Sequence, residues 1–219
     1  MLETKELLSL DKSDAGDFLA RFTFPWQALP HIRDFIISFG KSLDEREYEL
    51  LGENIWVHKS AKIAPTAHIG APCIIGENTE VRHCAFIRGS ALIGKGCVVG
   101  NSTEIKNAIL FDNVQVPHYN YVGDSILGYK AHLGAGAVTS NVKSDKSLVT
   151  LRSGNEKCET GLKKFGAIVG DFVEVGCNSV LNPGTVIGRN TNIYPLSFVR
   201  GEIPAGSIFK SAENIVAKE

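Results

Sequence analysis

An aliphatic or aromatic residue returns at every sixth position through the first half of the chain. These positions are Val57, Ile63, Ile69, Ile75, Val81, Ile87, Ile93, Val99, Ile105 and Phe111. Neither the 3.6-residue period of a helix nor the two-residue period of a strand produces such a repeat. A repeat of six is typical of a β-helix, in which each repeat adds a short strand and a turn. We therefore predict that the repeating side chain points inward and stacks on its equivalent in the next coil.

The repeat becomes irregular after Phe111. The next positions are Val116, Val122, Leu127, Leu133 and Thr139, so that two steps are five residues long. Such a shift predicts a local distortion of the coil, of the kind often found beside functional sites. A polar insertion then occupies residues 140–166, and the repeat resumes from Val169 to Val199. An insertion of this length is either disordered or a functional loop, and we favour the functional loop. A last strand is predicted at 207–209.

Residues 1–54 lack the repeat and are predicted to form a helical N-terminal extension, followed by a β-helix domain over residues 55–219. The pattern favours one helix beginning at Pro25 and another over the acidic segment 44–51. A solenoid needs its open ends covered, since an exposed edge invites association. We therefore predict that the extension packs on the first coil and covers its open end.

Composition excludes several classes of partner. The formal net charge of −1 offers no basic excess for nucleic acid or a membrane surface. No apolar run reaches membrane-spanning length, and the acidic and basic residues near the N-terminus do not resemble a secretory signal. The five cysteines are odd in number and lack a C-x-x-C pair, so we interpret them as reduced thiols of a cytoplasmic protein.

Two cations follow core positions on one face of the predicted coil. The hexad repeat resembles that of the hexapeptide-repeat acyltransferases, and this resemblance implies three hexads per triangular coil. Arg88 and Lys106, 18 residues apart in sequence, would then both lie on the third face. Strand spacing would hold their backbones about 4.8 Å apart. Two such cations without an intervening carboxylate repel unless an anion lies between them, and a phosphate is the natural candidate. The alternative, two solvated side chains splayed apart, stays open at this point.

A histidine stands beside the irregular part of the repeat. His118 lies at the corner that leads onto the third face, and Tyr121 lies on that face. A lone histidine in a turn is more often structural than catalytic, but this one is one coil from Lys106. One coil later, the small residues from Gly134 to Gly136 would let a ligand approach backbone amides.

Three motifs carry a specific resemblance. They are H-Y-N-Y-V-G-D-S from His118, L-G-A-G-A-V-T-S-N ending at Asn141, and T-G-x-x-K-x-G-x-I-x-G-D over residues 160–171. Together they resemble the acetyltransferase domain of bifunctional glucosamine-1-phosphate acetyltransferase/N-acetylglucosamine-1-phosphate uridylyltransferases, most closely the archaeal type, over roughly residues 55–205. The resemblance implies a mainly β fold: a single-stranded left-handed parallel β-helix of the hexapeptide-repeat acyltransferases, with a short helical N-terminal extension.

The resemblance also implies roles for individual residues. His118 matches the general base, Arg88 and Lys106 match the residues that hold the sugar phosphate, and Tyr121 and Asn141 match residues that contact the sugar. The resemblance also places His132 at the substrate. The residues expected along coenzyme A are Ala135, Cys177, Pro195 and Lys210. The bacterial family has an asparagine in place of His132 and a serine in place of Cys177.

The function implied is that of an acetyl-coenzyme A-dependent N-acetyltransferase acting on an amino-sugar phosphate, such as glucosamine-1-phosphate, in the synthesis of UDP-N-acetylglucosamine precursors. The family resemblance further implies a homotrimer with no metal requirement, and the nucleotidyltransferase domain of the relatives is absent from the sequence. A γ-type carbonic anhydrase is disfavoured because the histidines never show its H-x-x-x-x-H spacing. A non-catalytic regulatory or scaffolding partner of a separate sugar nucleotidyltransferase is the remaining alternative.

Overall fold

The chain forms a parallel β-helix, as the hexad repeat predicted, and each coil has three faces, as the family resemblance implied. The computed structural model describes residues 1–218. The strands of face 1 are Ile55–His58, Cys73–Ile75, Ala91–Ile93, the last parts of Glu104–Leu110 and Tyr121–Leu127, Ala167–Val169, Thr185–Ile187 and Glu202–Ile203. The strands of face 2 are Lys62–Ile63, Glu80–Val81, Val98–Asn101, Gln115–His118, His132–Leu133, Glu174–Val175, Asn192–Ile193 and Ser207–Ser211.

Face 3 carries the predicted column of core residues. Its strands are His68–Ile69, Phe86–Ile87, the first parts of Glu104–Leu110 and Tyr121–Leu127, Val138–Thr139, Val180–Leu181 and Phe198–Val199. Ile87 pairs with Ile105, and Ile105 with Val122, one coil to the next. All three are fully buried. Each coil thus adds an apolar layer to a continuous core, which is what stabilises a solenoid.

The first irregular step lies elsewhere than the sequence suggested. Ile93 pairs with Leu110, and Leu110 pairs with Leu127, so Leu110 and not Phe111 is the inward residue. The two five-residue steps are therefore Ile105–Leu110 and Val122–Leu127, at the same corner of successive coils. Phe111 fits the hexad count because it is an apolar residue six positions after Ile105, and it is also fully buried.

Both shortened corners run as one continuous strand from face 3 onto face 1. The strands Glu104–Leu110 and Tyr121–Leu127 pair in parallel through the bend. The bend is made at Asn107 and Asp124, which both have a φ of 48°. Asparagine and aspartate tolerate this left-handed conformation better than other residues with a side chain. The distortion predicted from the repeat is therefore confined to the corner between faces 3 and 1.

Face 1 is apolar on its outer side as well as its inner side. Its outward residues alternate with the core positions and are at most 1% exposed: Ile74, Leu92, Ile109, Ile126, Ile168 and Val186. Strands that are buried on both faces read as continuous apolar pairs rather than as an alternation. Face 1 must therefore be covered by other parts of the chain.

The N-terminal extension covers much of this face. It contains the α-helices Thr4–Leu7, Gly16–Leu19 and Ile32–Gly40 and the 3₁₀ helices Leu10–Lys12 and Pro25–His31. Helix Ile32–Gly40 packs on the strands of three successive coils. At one end Gly40 lies against Trp56 in the first coil, and at the other the Leu2 amide donates to Glu202 in the last. The extension therefore runs along the prism. The prediction that it covers the open end of the first coil is wrong.

A β-hairpin takes the place of the helix predicted over residues 44–51 and covers the first coil. The predicted helix over 44–51 is wrong, because Tyr48–Gly52 is a strand antiparallel to Ile55–His58. Asn54, with a φ of 58°, allows the tight turn between them. At the other end Ser207–Ser211 contains the predicted last strand and pairs with Asn214–Ala217.

Asp171 fixes the start of the extension to the later coils. Its carboxylate accepts hydrogen bonds from the backbone N–H groups of Ser9 and Tyr129, both at 2.8 Å, and lies 3.3 Å from a guanidinium nitrogen of Arg189. The side chain is fully buried. A buried carboxylate is tolerated only when it is bonded in this way, so Asp171 acts as an anchor.

The insertion 140–166 is ordered and folds onto its own chain. It contains an antiparallel hairpin, Thr150–Ser153 with Glu156–Glu159. Leu151 is fully buried, and Ser153 donates a hydrogen bond of 2.8 Å to Glu202 in the last coil. These contacts fix the insertion to the later coils of its own chain. None of the helices within residues 1–218 is long and apolar enough to cross a membrane.

Candidate functional site

A polar cluster occupies the distorted corner between faces 3 and 1. Asp124 lies at its centre and is 4% exposed. Lys106 approaches one carboxylate oxygen at 3.2 Å, and Asn107 donates to the other at 2.9 Å. Asn141 donates to the same carboxylate. Because three donors converge on one buried anion, each of these side chains is held in a defined position.

Asp124 is a residue that the sequence reasoning missed. It lies within the H-Y-N-Y-V-G-D-S motif and follows Lys106 by 18 residues. A spacing of 18 residues places an acidic side chain in the coil next to a basic one, and this spacing could have predicted the ion pair. Its ion pair corrects the inference that the two cations lack an intervening carboxylate.

Arg88 also has its own acidic partner. Its Nη1 lies 2.7 Å from Oε1 of Glu104, one coil further on. The two side chains are 44% and 32% exposed, so this pair is open to solvent and to ligands. Arg88 and Lys106 therefore do not require a bound anion to relieve repulsion. The site contains two cations and two carboxylates instead.

Tyr121 closes the cluster on face 3. Its hydroxyl is 3.2 Å from the amide nitrogen of Asn141, which donates to it. The ring lies along the strand over Gly123, where a Cβ would come within 2.5 Å of the hydroxyl oxygen. Burial raises the pKa of Tyr121, and the negative charges of Asp124 and Glu104 raise it further. The phenol is therefore neutral at physiological pH and can donate a hydrogen bond.

The edge between faces 2 and 3 carries a second group of predicted residues. The amide of Gly136 donates to the carbonyl of His118 at 3.0 Å, so His118 and Ala135 occupy equivalent places in successive coils. In the next coils, the amide of Asn178 donates to the carbonyl of Ala135 at 2.8 Å, and the amide of Leu196 donates to the carbonyl of Cys177 at 2.9 Å. The edge thus continues through Cys177 to Pro195. The His118 side chain is exposed on it, directly before the strand that carries Tyr121.

Two predicted residues lie apart from these groups. His132 is on face 2, where its Nδ1 is 2.7 Å from Oε2 of Glu174. Lys210 is exposed near the end of the edge, with its ammonium 5.9 Å from the centre of the Tyr194 ring. The structure therefore brings Arg88, Lys106, Tyr121 and Asn141 together. His132 faces a different side of the prism.

The comparisons with known proteins match the same part of the chain. Residues 82–204, just over half of the chain, match the family model described as the GMPPB C-terminal domain. Residues 54–89 match the bacterial transferase hexapeptide model of six repeats. The chain belongs to the GMPPB C-terminal domain family. The matched segment of this family domain contains every predicted site residue except Lys210.

Relatives of the family domain are found in longer proteins. A bifunctional protein GlmU of Methanococcus vannielii is 36% identical over 114 residues, which are 52% of this chain and 27% of the relative. A bifunctional sugar-1-phosphate nucleotidylyltransferase/acetyltransferase of Sulfurisphaera tokodaii is 31% identical over 105 residues, 48% of this chain and 26% of the relative. The chain therefore spans about a quarter of the length of these relatives.

One solved structure is also similar at low identity. A Francisella novicida UDP-N-acetylglucosamine acyltransferase aligns with a TM-score of 0.43 and 18% identity, covering 72% of this chain and 65% of the other.

The site of this GMPPB C-terminal domain offers three kinds of chemistry within one region. Guanidinium and ammonium groups can bind a phosphate, and the carboxylates of Glu104 and Asp124 can bind a cationic group. The exposed His118 imidazole, at the other edge of face 3, offers a nitrogen that can act as a base. A substrate that carries both an anionic and a basic group fits this set best.

Proposed function

We propose that the protein is an acetyl-coenzyme A-dependent N-acetyltransferase whose acceptor is an amino-sugar phosphate such as glucosamine-1-phosphate, and that it serves UDP-N-acetylglucosamine synthesis. The observation that carries the proposal is the position of His118. Its side chain is exposed at the edge between faces 2 and 3. Arg88, Lys106, Tyr121 and Asn141 come together across face 3 towards its other edge, and Ala135 follows His118 one coil later along its own edge. The names of the relatives support it, since they combine acetyltransferase with nucleotidylyltransferase activity.

The acceptor is held through its charges in this proposal. Its phosphate binds Arg88 and Lys106, exchanging with the carboxylate that each now contacts. Its ammonium group is attracted by Glu104 and Asp124, which are freed by that exchange. Tyr121 and Asn141 contact the hydroxyls of the sugar. Fixing the acceptor at several points places the amine beside His118 and lowers the entropic cost of reaction.

The chemical step requires a base. An ammonium ion has no lone pair, so it must first lose one proton to solvent, and the neutral amine then attacks the thioester carbonyl carbon and gives up a second proton. His118 takes a proton from the attacking nitrogen as the C–N bond forms. The backbone amide of Ala135 stabilises the negative oxygen of the tetrahedral intermediate, because the amides of its neighbours Gly134 and Gly136 already donate to the carbonyls of Val175 and His118. The C–S bond then breaks, and the departing thiolate takes up a proton to give coenzyme A thiol.

Thiol release from acetyl-coenzyme A tests the proposal directly. We expect release that depends on glucosamine-1-phosphate and is weaker with galactosamine-1-phosphate or with a nucleotide-linked amino sugar. Equal release with all three would leave an acetyltransferase of broader specificity. No acceptor-dependent release would contradict the enzymatic proposal.

A second candidate is a regulatory or scaffolding role beside a separate sugar nucleotidyltransferase. The observation in its favour is that Arg88 and Lys106 already have carboxylate partners within the chain. Absence of thiol release, combined with binding to such an enzyme in sedimentation, would favour this candidate.

We expect Arg88→Ala to act on acceptor affinity. Removing the guanidinium deletes a charged partner of the phosphate but leaves the base in place, so KM should rise about tenfold with kcat changed less than threefold. Arg82→Ala is the matched control, because Arg82 pairs with Glu80 on face 2. Steady-state kinetics with both variants decide this, and an unchanged KM would remove Arg88 from the phosphate site.

We expect coenzyme A to bind along the edge that runs from Ala135 past Cys177 and Pro195 towards Lys210. The ammonium of Lys210 would meet a phosphate of the coenzyme, so calorimetry with Lys210→Ala should give a coenzyme Kd about 3–10-fold higher. Lys218→Ala, which removes another cation near the same end of the prism, serves as the control. An unchanged Kd would leave the edge intact as a site and exclude Lys210 from it.

We also expect a homotrimer. Face 1 is covered by the chain's own extension, whereas face 3 and its edge expose large apolar side chains, namely Phe86, Tyr119, Leu196 and Phe198. Exposed apolar patches mark association surfaces. Light scattering should give a trimer for the wild type and a smaller species for Phe198→Asp, with Leu148→Asp, in the insertion, unchanged. A stable wild-type monomer at micromolar concentration would count against the trimer.

A further inference from the structure

A groove lined by aromatic rings lies in the N-terminal extension, outside the β-helix. It has a volume of about 770 Å³ and lies between helices Gly16–Leu19 and Ile32–Gly40. Phe18 and Phe35 stack at 4.3 Å between ring centres, and Phe39 continues the row at 5.6 Å from Phe35. Phe35 and Phe39 are only partly buried, so their surfaces are available to a ligand.

The rim of this groove is acidic. Asp14 and Asp17 stand on one side, and Asp34 stands on the other. Within residues 1–218, none of these three carboxylates lies in a salt bridge or accepts a hydrogen bond from another side chain. Arg21 is the one lysine or arginine among the groove's lining residues in that same range. Three carboxylates thus stand against one arginine and one histidine, His31, around an aromatic floor.

The groove is separate from the proposed acetyl-transfer site. The helix Ile32–Gly40 packs on face 1, whereas His118 and Tyr121 lie on the edge of face 3 and on face 3 itself. A molecule bound in the groove therefore need not contact the acceptor or the coenzyme. The proposed function assigns no role to any of the residues that line it.

We infer that this groove binds a basic amphipathic segment of a partner protein. An arginine or lysine side chain would lay its aliphatic stem on the phenylalanine rings and place its charged head among Asp14, Asp17 and Asp34. Cations are attracted to aromatic faces as well as to carboxylates, so the two features act together. An apolar residue next to the cation would fill the rest of the floor.

The shape and charge of the groove favour a protein segment over the other occupants. The groove is open to solvent along one side, and a free small molecule there would leave much of its surface exposed. A side chain presented by a partner is ordered before it binds and can act as an anchor in such a groove. A second copy of this chain would meet the acidic rim with a surface of nearly balanced charge, since the formal net charge is −1.

The test uses a defined peptide on the full-length protein. The probe is a capped alanine-based helical peptide of about 16 residues, long enough to be partly helical, with leucine and arginine along one face. The matched peptide has glutamine in place of each arginine. The protein variant is the double substitution Asp17→Lys/Asp34→Lys, with Asp145→Lys as the control in the insertion. All three substituted positions are exposed aspartates, and both variant proteins should retain acetyl transfer.

We expect saturable calorimetric binding of the arginine peptide to the wild type and to Asp145→Lys, with a Kd below about 1 mM that rises with salt. The glutamine peptide and the double variant should each bind about tenfold more weakly. Equal binding of the two peptides, or undiminished binding by the double variant, would overturn the inference. So would self-association of the wild type that the double variant abolishes, since the occupant would then be a second copy. Acetyl transfer measured on the same samples separates this outcome from failure of the proposed function.

Discussion

We expect His118→Ala to lower the turnover of acetyl transfer by about 10²–10⁴-fold at saturating substrates, the usual effect of losing a general base. The amine would then have to lose its proton to water during the attack. The imidazole is exposed at a corner and contributes nothing to the aliphatic core, so folding and assembly should be unaffected. Thiol-release assays measure the turnover, and light scattering on the same preparation measures the assembly.

His83→Ala is the matched control for this variant. His83 lies on the same edge, earlier along the chain, and its Nδ1 is 2.9 Å from the hydroxyl of Thr66. Since it is also an exposed histidine, its loss should leave turnover within about twofold of the wild type. If His118→Ala kept more than about a tenth of wild-type turnover, the base would be another group.

We expect Asp171→Ala to lower the free energy of unfolding by about 2–4 kcal/mol, because two backbone N–H groups lose their buried acceptor and the partly exposed Arg189 loses its counter-ion. The substitution leaves the amides of Ser9 and Tyr129 without their acceptor and leaves Arg189 without its counter-ion. Asp145→Ala, at an exposed carboxylate, is the control and should change stability by less than about 0.5 kcal/mol. Urea denaturation followed by circular dichroism measures both.

The same variant should loosen the first residues of the chain. Limited proteolysis is expected to cut Asp171→Ala within residues 1–12 much faster than the control, because Ser9 is no longer held. A loss of stability below about 1 kcal/mol would mean that water replaces the carboxylate, and the anchor would lie elsewhere along the extension.

The β-helix and the placement of its third face could be predicted because the repeat reports burial directly. Ile87, Ile105 and Val122 are buried one above the next, and the side chains that follow them must therefore emerge on one surface. Register along a solenoid is set by this stacking, so Arg88, Lys106 and Tyr121 were located correctly without any knowledge of their contacts. The face on which each lies was determined by counting alone.

The partners of those side chains could not be predicted from counting. Whether Lys106 meets a ligand or Asp124 depends on how the corner bends, and the bend arises from a missing residue between Ile105 and Leu110. Phe111 hid the short step, because this apolar residue lies six positions after Ile105 and continues the hexad count. A pairing argument would have been needed, in which Leu110 and Leu127 are aligned as equivalents.

The course of the extension was missed for a different reason. The apolar pairs Ile74-Ile75, Leu92-Ile93 and Ile126-Leu127 recur about once per coil, and in each pair one residue points outward. We considered only the inward member of each pair. The outward members form a stripe along face 1 that is a sequence signal for a covering segment, and it would have placed the extension along the prism.

The path of the extension changes how the whole molecule should come apart. In most solenoids each repeat touches only its neighbours, so that the ends can fray and unfolding can proceed coil by coil. Here the bond from Leu2 to Glu202 and the contact of Gly40 with Trp56 tie the last coil to the first through one continuous segment. Neither terminal coil can then open without displacing a segment that spans the others. The protein should therefore lose its structure in one cooperative transition, and it should fold slowly for a repeat protein because contacts about 200 residues apart must close.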